Sequence, residues 1–183
     1  MLETLGWYPS GGYLLLDRHL QRLSRSAHHF KFACEIDRVR DELTRAVAGR
    51  AEPLRVRLLL DARGETRIEL SPLAPTPVPL KVGLASEPID SSDPLFFHKT
   101  TSRARYERLR VAACDETILW NAAGEVTEAL TANIVLDRHG QRVTPPLRCG
   151  LLQARCARNC STRVPSSRTS SPSTSSFARD DAG

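Results

Sequence analysis

The sequence predicts an α+β fold, with a small two-layer lobe followed by the first part of a larger, β-rich lobe. Three observations support this prediction: runs of alternating apolar and polar residues, two segments with helical apolar spacing, and a stretch rich in Pro, Ser and Asp that separates the lobes. A chain of 183 residues is long enough to bury a sizeable core.

The elements of the first lobe follow in order. Residues 3–7 and 12–16 predict a hairpin, because the turn between them contains Pro9, Gly11 and Gly12. Asp17 is the expected N-cap of a helix with Leu20, Leu23, Ala27 and Phe30 on one face, and a second helix should start at Asp37. Residues 54–60 and 65–70 predict paired strands, residues 72–79 an extended segment, and residues 80–85 another strand.

The second half predicts a helix through Tyr106, Leu109 and Ala112, followed by short strands at residues 117–121, 125–127 and 134–136. A hairpin turn at residues 137–140 should lead to Val143. The predicted organisation is a small lobe at 1–88, a linker at 89–97, a partial second lobe at 98–152 and a tail at 153–183.

Composition limits the function classes. The formal net charge is +5, of which +3 belongs to residues 153–183, so the main body is nearly neutral and a nucleic-acid-binding face is not expected. No apolar run approaches the roughly 18 residues of a membrane span. The five cysteines lack paired zinc-ligand spacing and are expected to be free thiols, so we expect no metal site and a cytoplasmic location.

Lys99 is the most informative single residue. The chain has three lysines against twenty-three arginines, and Lys99 lies in the segment His98-Lys99-Thr100-Thr101. An amine can lose its proton and form an imine with an aldehyde, which a guanidinium cannot do. A solvated surface lysine is the alternative interpretation of this residue.

Five segments carry a further signal: residues 2–5, residues 19–27, residues 98–101, residues 126–128 with Asn133, and residues 143–147 leading to 150–152. In this order they resemble the class IV (fold-type IV) aminotransferase family of pyridoxal-phosphate enzymes, most strongly its aminodeoxychorismate lyase branch, including synthase–lyase fusions. The resemblance covers residues 1 to about 152 and implies pyridoxal 5'-phosphate as the cofactor.

The resemblance also implies roles. Lys99 matches the Schiff-base lysine and catalytic proton carrier, Glu128 the carboxylate facing the ring nitrogen, and Arg22 the phosphate-binding arginine. Their alternatives are a strand-end surface glutamate for Glu128 and a solvated, arginine-rich helix face for Arg22. Substrate contacts are expected more weakly from Arg57, Arg103 and Tyr106. Arg57 could equally point outward from its strand, and Tyr106 could simply pack.

The implied activity is conversion of 4-amino-4-deoxychorismate to 4-aminobenzoate and pyruvate in folate biosynthesis. Transamination of branched-chain or D-amino acids, a catalytically inactive remnant, and a nucleic-acid binder with a basic tail remain alternatives. The family implies a homodimer, and a chorismate-binding synthase is a possible partner.

The likeness ends at Leu152. Relatives continue with Pro-Gly and a helix start, whereas this chain continues with Gln153-Ala154-Arg155 and a tail rich in Ser and Arg. Back-translated with GC-rich codons and read one base earlier, the same stretch gives Pro-Gly-Thr-Leu-Arg. We therefore expect that residues 153–183 are a disordered product of a frameshift, and that activity is impaired.

Overall fold

The computed structural model describes residues 1–75 and 78–153, so the predicted tail beyond Gln153 lies outside the described residues. Among these residues, two main sheets form the framework, one of four strands and one of three strands. A separate two-stranded ribbon follows them in the chain. The α+β prediction is confirmed.

The first sheet is antiparallel and is covered on one face by two helices. Its strands are β1 (Leu2–Tyr8), β2 (Gly12–Tyr13), β3 (Leu54–Leu60) and β4 (Thr66–Pro72), and its helices are α1 (Leu16–His29) and α2 (Ile36–Ala46). Alternate residues of β1 and β3 face the helices and form one core. The core contains Leu5, Leu23, Leu43, Val56 and Leu58, all less than 3% exposed.

The second sheet combines a parallel and an antiparallel pair. Strand β5 (Val82–Leu84) runs parallel to β6 (Glu116–Trp120), which pairs antiparallel with β7 (Val126–Ala129). The short helix α3 (Ala104–Arg108) precedes β6, and β8 (Leu136–Arg138) and β9 (Gln141–Val143) form the ribbon. The second sheet and the segments packed on it form the second unit. The core of this unit includes Ala85, Ile89, Phe96, Leu119 and Leu130.

Two predictions about the division between the lobes are wrong. The strand predicted at residues 80–85 belongs to the second sheet, because β5 pairs with β6 and not with the first sheet. A lobe boundary at residue 88 therefore falls inside the second unit. The predicted linker also contributes to the second core, since Ile89 and Phe96 are buried there.

The predicted cap of α1 is also wrong. The helix starts after Leu15, whose backbone is left-handed with φ of 55°, and no side chain caps it. Asp17 lies in the first turn, where its carboxylate accepts a hydrogen bond from Arg40 at 2.8 Å. The acidic residue therefore favours the helix start through the helix dipole and not as a cap.

One backbone hydrogen bond fixes the second unit against the first sheet. The amide of Leu2, at the start of β1, donates to the carbonyl of Lys99 at 3.0 Å. The chain around Lys99 is therefore held at the N-terminal end of β1, and the cleft between the two sheets lies beside it. Within the described ranges, no helix is long and apolar enough to cross a membrane.

Candidate active site

A cleft of about 500 Å³ lies between the two sheets, and residues from both line it. Its volume is within the range of roughly 300–1,000 Å³ typical of small-molecule sites. The charged and hydrogen-bonding side chains in its lining include Thr4, His19, Arg22, His98, Lys99, Arg103, Tyr106, Glu128 and Asn133. The three residues expected to handle the cofactor therefore share one cleft.

Lys99 follows the single turn Pro94–Phe96, and its side chain enters the cleft half-buried. Burial lowers the pKa of its amine, and the positive charge of Arg22 lowers it further, against smaller opposing effects of Glu3 and Glu128. No described residue accepts a hydrogen bond from its Nζ. The amine is thus poised to lose its proton and has no competing partner among the described residues.

Glu128 lies on β7 with its side chain buried at 4% exposure. Its Oε1 accepts a hydrogen bond from the Tyr106 hydroxyl at 3.2 Å, and its Oε2 accepts one from the amide of Leu152 at 3.1 Å. Burial nevertheless raises the pKa of this carboxyl to about 7, since the two neutral donors lower it by less than burial raises it. A buried carboxyl without a cation within ion-pair distance in the described chain suits a ligand that brings a positive charge.

Arg22 lies on the buried side of α1 and is only 6% exposed, so its alternative as a solvated residue is wrong. It reaches the cleft already paired with Glu3, whose Oε1 accepts from Nε at 2.7 Å and whose Oε2 accepts from Nη2 at 2.5 Å. His19 Nδ1 lies 2.7 Å from the same Oε2. Burial disfavours the Glu3 carboxylate, but hydrogen bonds from Arg22 and His19 outweigh it and hold the pKa of Glu3 below its ordinary value.

A short segment, residues 150–153, crosses between the two sheets beside the cleft. Gly150 has a φ of 89°, and a Cβ at this position would lie 2.8 Å from the Cα of Ser91, so only glycine fits. Beyond it, the Leu152 carbonyl accepts a hydrogen bond from Asn133 Nδ2 at 2.7 Å while the Leu152 amide binds Glu128. The carbonyl of Gln153 then accepts from Arg22 Nη1 at 3.3 Å.

The weaker predicted residues divide into two groups. Arg103 and Tyr106 line the cleft. Arg57 does not line it, and its Nη1 donates to Glu69 on the neighbouring strand β4 at 2.8 Å. Arg57 has Thr4 as its cross-strand neighbour, and it is Thr4 that lines the cleft. Position on a strand alone does not distinguish a side chain that lines the cleft from one that pairs with a neighbouring strand.

Two groups were missed by sequence reasoning. Glu3 is the buried partner of Arg22, and His19 contacts the same Glu3 carboxylate. Strand alternation contained a signal for Glu3, since it shares the inward face of β1 with Leu5 and Trp7. The Leu152 amide had no local signal, because its position follows from the path of the chain after Gly150. The described residues contain no group of three or more His, Cys, Asp or Glu side chains arranged to hold a metal.

The chemical groups that line the cleft match the groups of pyridoxal phosphate. Lys99 supplies an amine with a lowered pKa, and Glu128 supplies a buried carboxyl without a cationic partner among the described residues. Arg22 supplies a guanidinium whose Nη1 edge is directed away from Glu3. These three groups complement an aldehyde, a protonated ring nitrogen and a phosphate.

The comparisons with known proteins agree on one family. The sequence model of the class IV amino-transferases matches residues 1–160. A curated protein of Schizosaccharomyces pombe, provisionally named aminodeoxychorismate lyase, is 27% identical over 157 residues, which are 81% of this chain and 68% of that protein. The crystal structure of a provisionally named amino-acid aminotransferase from Mesorhizobium loti is similar with a TM-score of 0.73 and 35% identity, covering 83% of this chain and 77% of that one.

A second solved structure supports the fold alone. It is a provisionally named 4-amino-4-deoxychorismate lyase from Legionella pneumophila, with a TM-score of 0.70 at 20% identity. The match covers 83% of this chain and 63% of that one.

Proposed function

The chain belongs to the class IV aminotransferase family, whose members are pyridoxal-phosphate-dependent enzymes, and on that premise we propose that it is an aminodeoxychorismate lyase. The proposed reaction converts 4-amino-4-deoxychorismate into 4-aminobenzoate and pyruvate, a step of folate biosynthesis. The observation that carries the proposal of a catalytic site is the convergence of Lys99, Glu128 and Arg22 on one cleft. The relative from Schizosaccharomyces pombe that is provisionally named aminodeoxychorismate lyase supports the choice of reaction.

In this proposal three residues hold the cofactor: Lys99 through its Nζ, Glu128 at the ring nitrogen and Arg22 at the phosphate. When bound, pyridoxal phosphate supplies an electron sink for charge that develops on the substrate. Glu128 in its ionised form would stabilise a positive charge on the ring nitrogen, and Arg22 would neutralise part of the phosphate charge.

Lys99 is the proposed general acid and base, a role that its Nζ would take once the substrate amine has displaced it from the cofactor. Its lowered pKa increases the fraction of neutral amine near neutral pH, and neutral amine is the form that can accept a proton. The same nitrogen would then deliver a proton to the departing enolpyruvyl group as the substrate ring becomes aromatic. Tyr106 and Arg103 line the same cleft.

Transamination of branched-chain or D-amino acids is the second candidate, because the 35% identical relative from Mesorhizobium loti is named as an amino-acid aminotransferase. Lys99 and Glu128 would serve both reactions, so the residues that hold the cofactor do not discriminate between them. The discriminating observation is the product.

The test incubates the full chain and pyridoxal phosphate with 4-amino-4-deoxychorismate, and follows 4-aminobenzoate by its fluorescence after chromatography. The lyase proposal expects 4-aminobenzoate and pyruvate in equal amounts, and loss of both in Lys99→Ala. Keto-acid formation from leucine or D-alanine without 4-aminobenzoate would assign the aminotransferase instead. If the chain binds the cofactor and gives neither product, it is a catalytically inactive remnant.

The proposal includes a homodimer, and a chorismate-binding synthase as the source of the substrate. Size-exclusion chromatography with light scattering would measure the oligomeric state. A monomer with full lyase activity would remove the dimer from the proposal without affecting the assigned reaction.

A further inference from the structure

Tyr106 was expected to contact substrate, but its hydroxyl has a partner in the described chain. It donates to Oε1 of Glu128 at 3.2 Å. The phenol is half-buried, and burial together with the neighbouring Glu128 charge raises its pKa well above its ordinary value, so it stays protonated and remains a donor. A hydroxyl committed to Glu128 is not available as a free substrate-binding group.

The ring of Tyr106 is held on two sides. Phe96 meets it edge to face with ring centroids 5.3 Å apart and planes at 71°, and the Arg103 guanidinium lies 4.8 Å from the ring centroid. Arg103 is fixed in turn, because its Nη2 donates to the Leu130 carbonyl at 2.8 Å. These contacts leave the phenol little rotational freedom, so the hydroxyl is a preorganised donor.

The two carboxyl oxygens of Glu128 accept hydrogen bonds from different parts of the chain. Oε1 is bound by a side chain on α3, and Oε2 by the backbone amide of Leu152. The charged groups that face Glu128 are Lys99 and Arg103, and neither forms an ion pair with it. The Tyr106 hydroxyl is therefore the one side-chain donor, among the described residues, that stabilises the carboxylate over the carboxylic acid.

We infer that Tyr106 is a positioning residue, which fixes the orientation of the Glu128 carboxyl in the cleft and favours its ionised form. This inference rests on the proposed function in one respect, since it is the ionised carboxylate that would stabilise a cationic ring nitrogen. The contact itself belongs to the chain without any ligand, so it can be tested without cofactor or substrate.

The first variant is Tyr106→Phe, which removes the hydroxyl and keeps the ring between Phe96 and Arg103. The Glu128 carboxyl would then have one donor in place of two, and its titration midpoint should move upward by about one pH unit. The measurement is carbon NMR of the ligand-free chain labelled at glutamate side-chain carboxyls, with the Glu128 signal identified by its absence in Glu128→Gln.

Tyr13→Phe is the matched control, because the Tyr13 hydroxyl also makes one hydrogen bond, to the Leu43 carbonyl at 2.7 Å, within the first sheet's core. It should leave the Glu128 midpoint unchanged. An equal shift in both variants, or no shift in Tyr106→Phe, would overturn the inference.

If Tyr106→Phe does not fold, a second substitution at the same position still tests the inference. Replacing Tyr106 by 3-fluorotyrosine makes the hydroxyl a stronger donor, so the Glu128 midpoint should move downward. An unchanged or raised midpoint there would also overturn the inference. Failure of the lyase assay with these shifts intact would reject the proposed reaction and leave the positioning role of Tyr106 standing.

Discussion

Glu3 on β1 and Arg22 on α1 form a buried pair with hydrogen bonds to both carboxylate oxygens, at 2.7 and 2.5 Å. Their side chains are 2% and 7% exposed. The pair ties the covering helix to the sheet at the edge of the cleft. It also uses the Nε side of the guanidinium, which leaves Nη1 for the cleft and for Gln153.

Removing one partner of this pair should destabilise the fold. Glu3→Ala leaves the Arg22 charge buried without compensation, and we expect a loss of about 3–5 kcal/mol in the free energy of unfolding. Urea denaturation at pH 7 measures it. Glu3→Gln, which keeps one acceptor, should cost less, and an equal cost in both variants would contradict a role for the charge.

The same pair predicts a pH dependence with a definite sign. The folded pKa of Glu3 lies below its ordinary value of 4.5, so its stabilisation is present above pH 4.5 and is lost as the pH falls through the folded pKa. The stability difference between the natural chain and Glu3→Gln should therefore shrink in acid. A difference that stays constant below pH 4.5 would show that ionisation of Glu3 contributes nothing.

Glu128 should show the opposite behaviour. Its pKa is raised from 4.5 to about 7, so the fold is most stable with this carboxyl protonated, below pH 4.5, and loses stability as the pH rises to about 7. At 1.36 kcal/mol per pH unit the loss is about 3 kcal/mol. Glu128→Gln should lack this loss in unfolding experiments at pH 4.5 and 8, and parallel curves for the two proteins would contradict the raised pKa.

Lys99 should be the only lysine whose removal affects attachment of pyridoxal phosphate. The cofactor added to the full chain should give an absorbance band near the edge of the visible range, and Lys99→Ala should abolish it because the attaching amine is gone. Lys81→Ala is the control, since Lys81 is exposed and does not line the cleft. A band that survives in Lys99→Ala would reject Lys99 as the attachment point.

The sequence after Leu152 gives the last prediction. A chain that carries the alternative reading Pro-Gly-Thr-Leu-Arg from residue 153 should bind pyridoxal phosphate more tightly than the chain as printed, because the family resemblance implies a helix start there, whose amides would donate to the phosphate. Each charge-assisted hydrogen bond contributes roughly 1.5–3 kcal/mol, so two or three would change the affinity by about a hundredfold or more. Fluorescence titration of both chains measures the ratio.

The frameshift interpretation has a clear contrary outcome. If the chain as printed binds the cofactor at micromolar affinity, and residues 153–183 resist proteolysis in that complex, the tail is a genuine part of the protein. Equal affinity of the two chains would likewise contradict the restored phosphate contacts.

Local patterns were enough to predict the elements whose signals are local. Strand β3 was predicted at its observed bounds, Leu54–Leu60, because apolar and arginine residues alternate there, and Leu20, Leu23 and Ala27 mark the buried face of α1. What failed depended on distant pairing. Strand β5 joins β6 across about thirty residues, and no local pattern specifies which sheet a short strand enters.

In the candidate site, too, some features could be predicted from the sequence and others depend on distant pairing. Lys99, Glu128 and Arg22 were identified from the resemblance to a family, and their lining of one cleft is a property of the fold. The buried location of Arg22 could not be predicted from the spacing of arginines on α1, because burial depends on Glu3, nineteen residues earlier. Arg57 could be placed on a strand, but its pairing with Glu69 depends on the register of β3 and β4.

Gly150 shows that a cleft can depend on a position that contributes no side chain to it. Any other residue there would collide with Ser91 and displace the chain that follows, including the Leu152 amide bound to Glu128. A saturation-mutagenesis screen for lost function should therefore score Gly150 as severely as the residues that line the cleft. Sensitivity in such a screen would reflect the backbone path and not chemistry, and a search for new activities in this protein should leave that position unchanged.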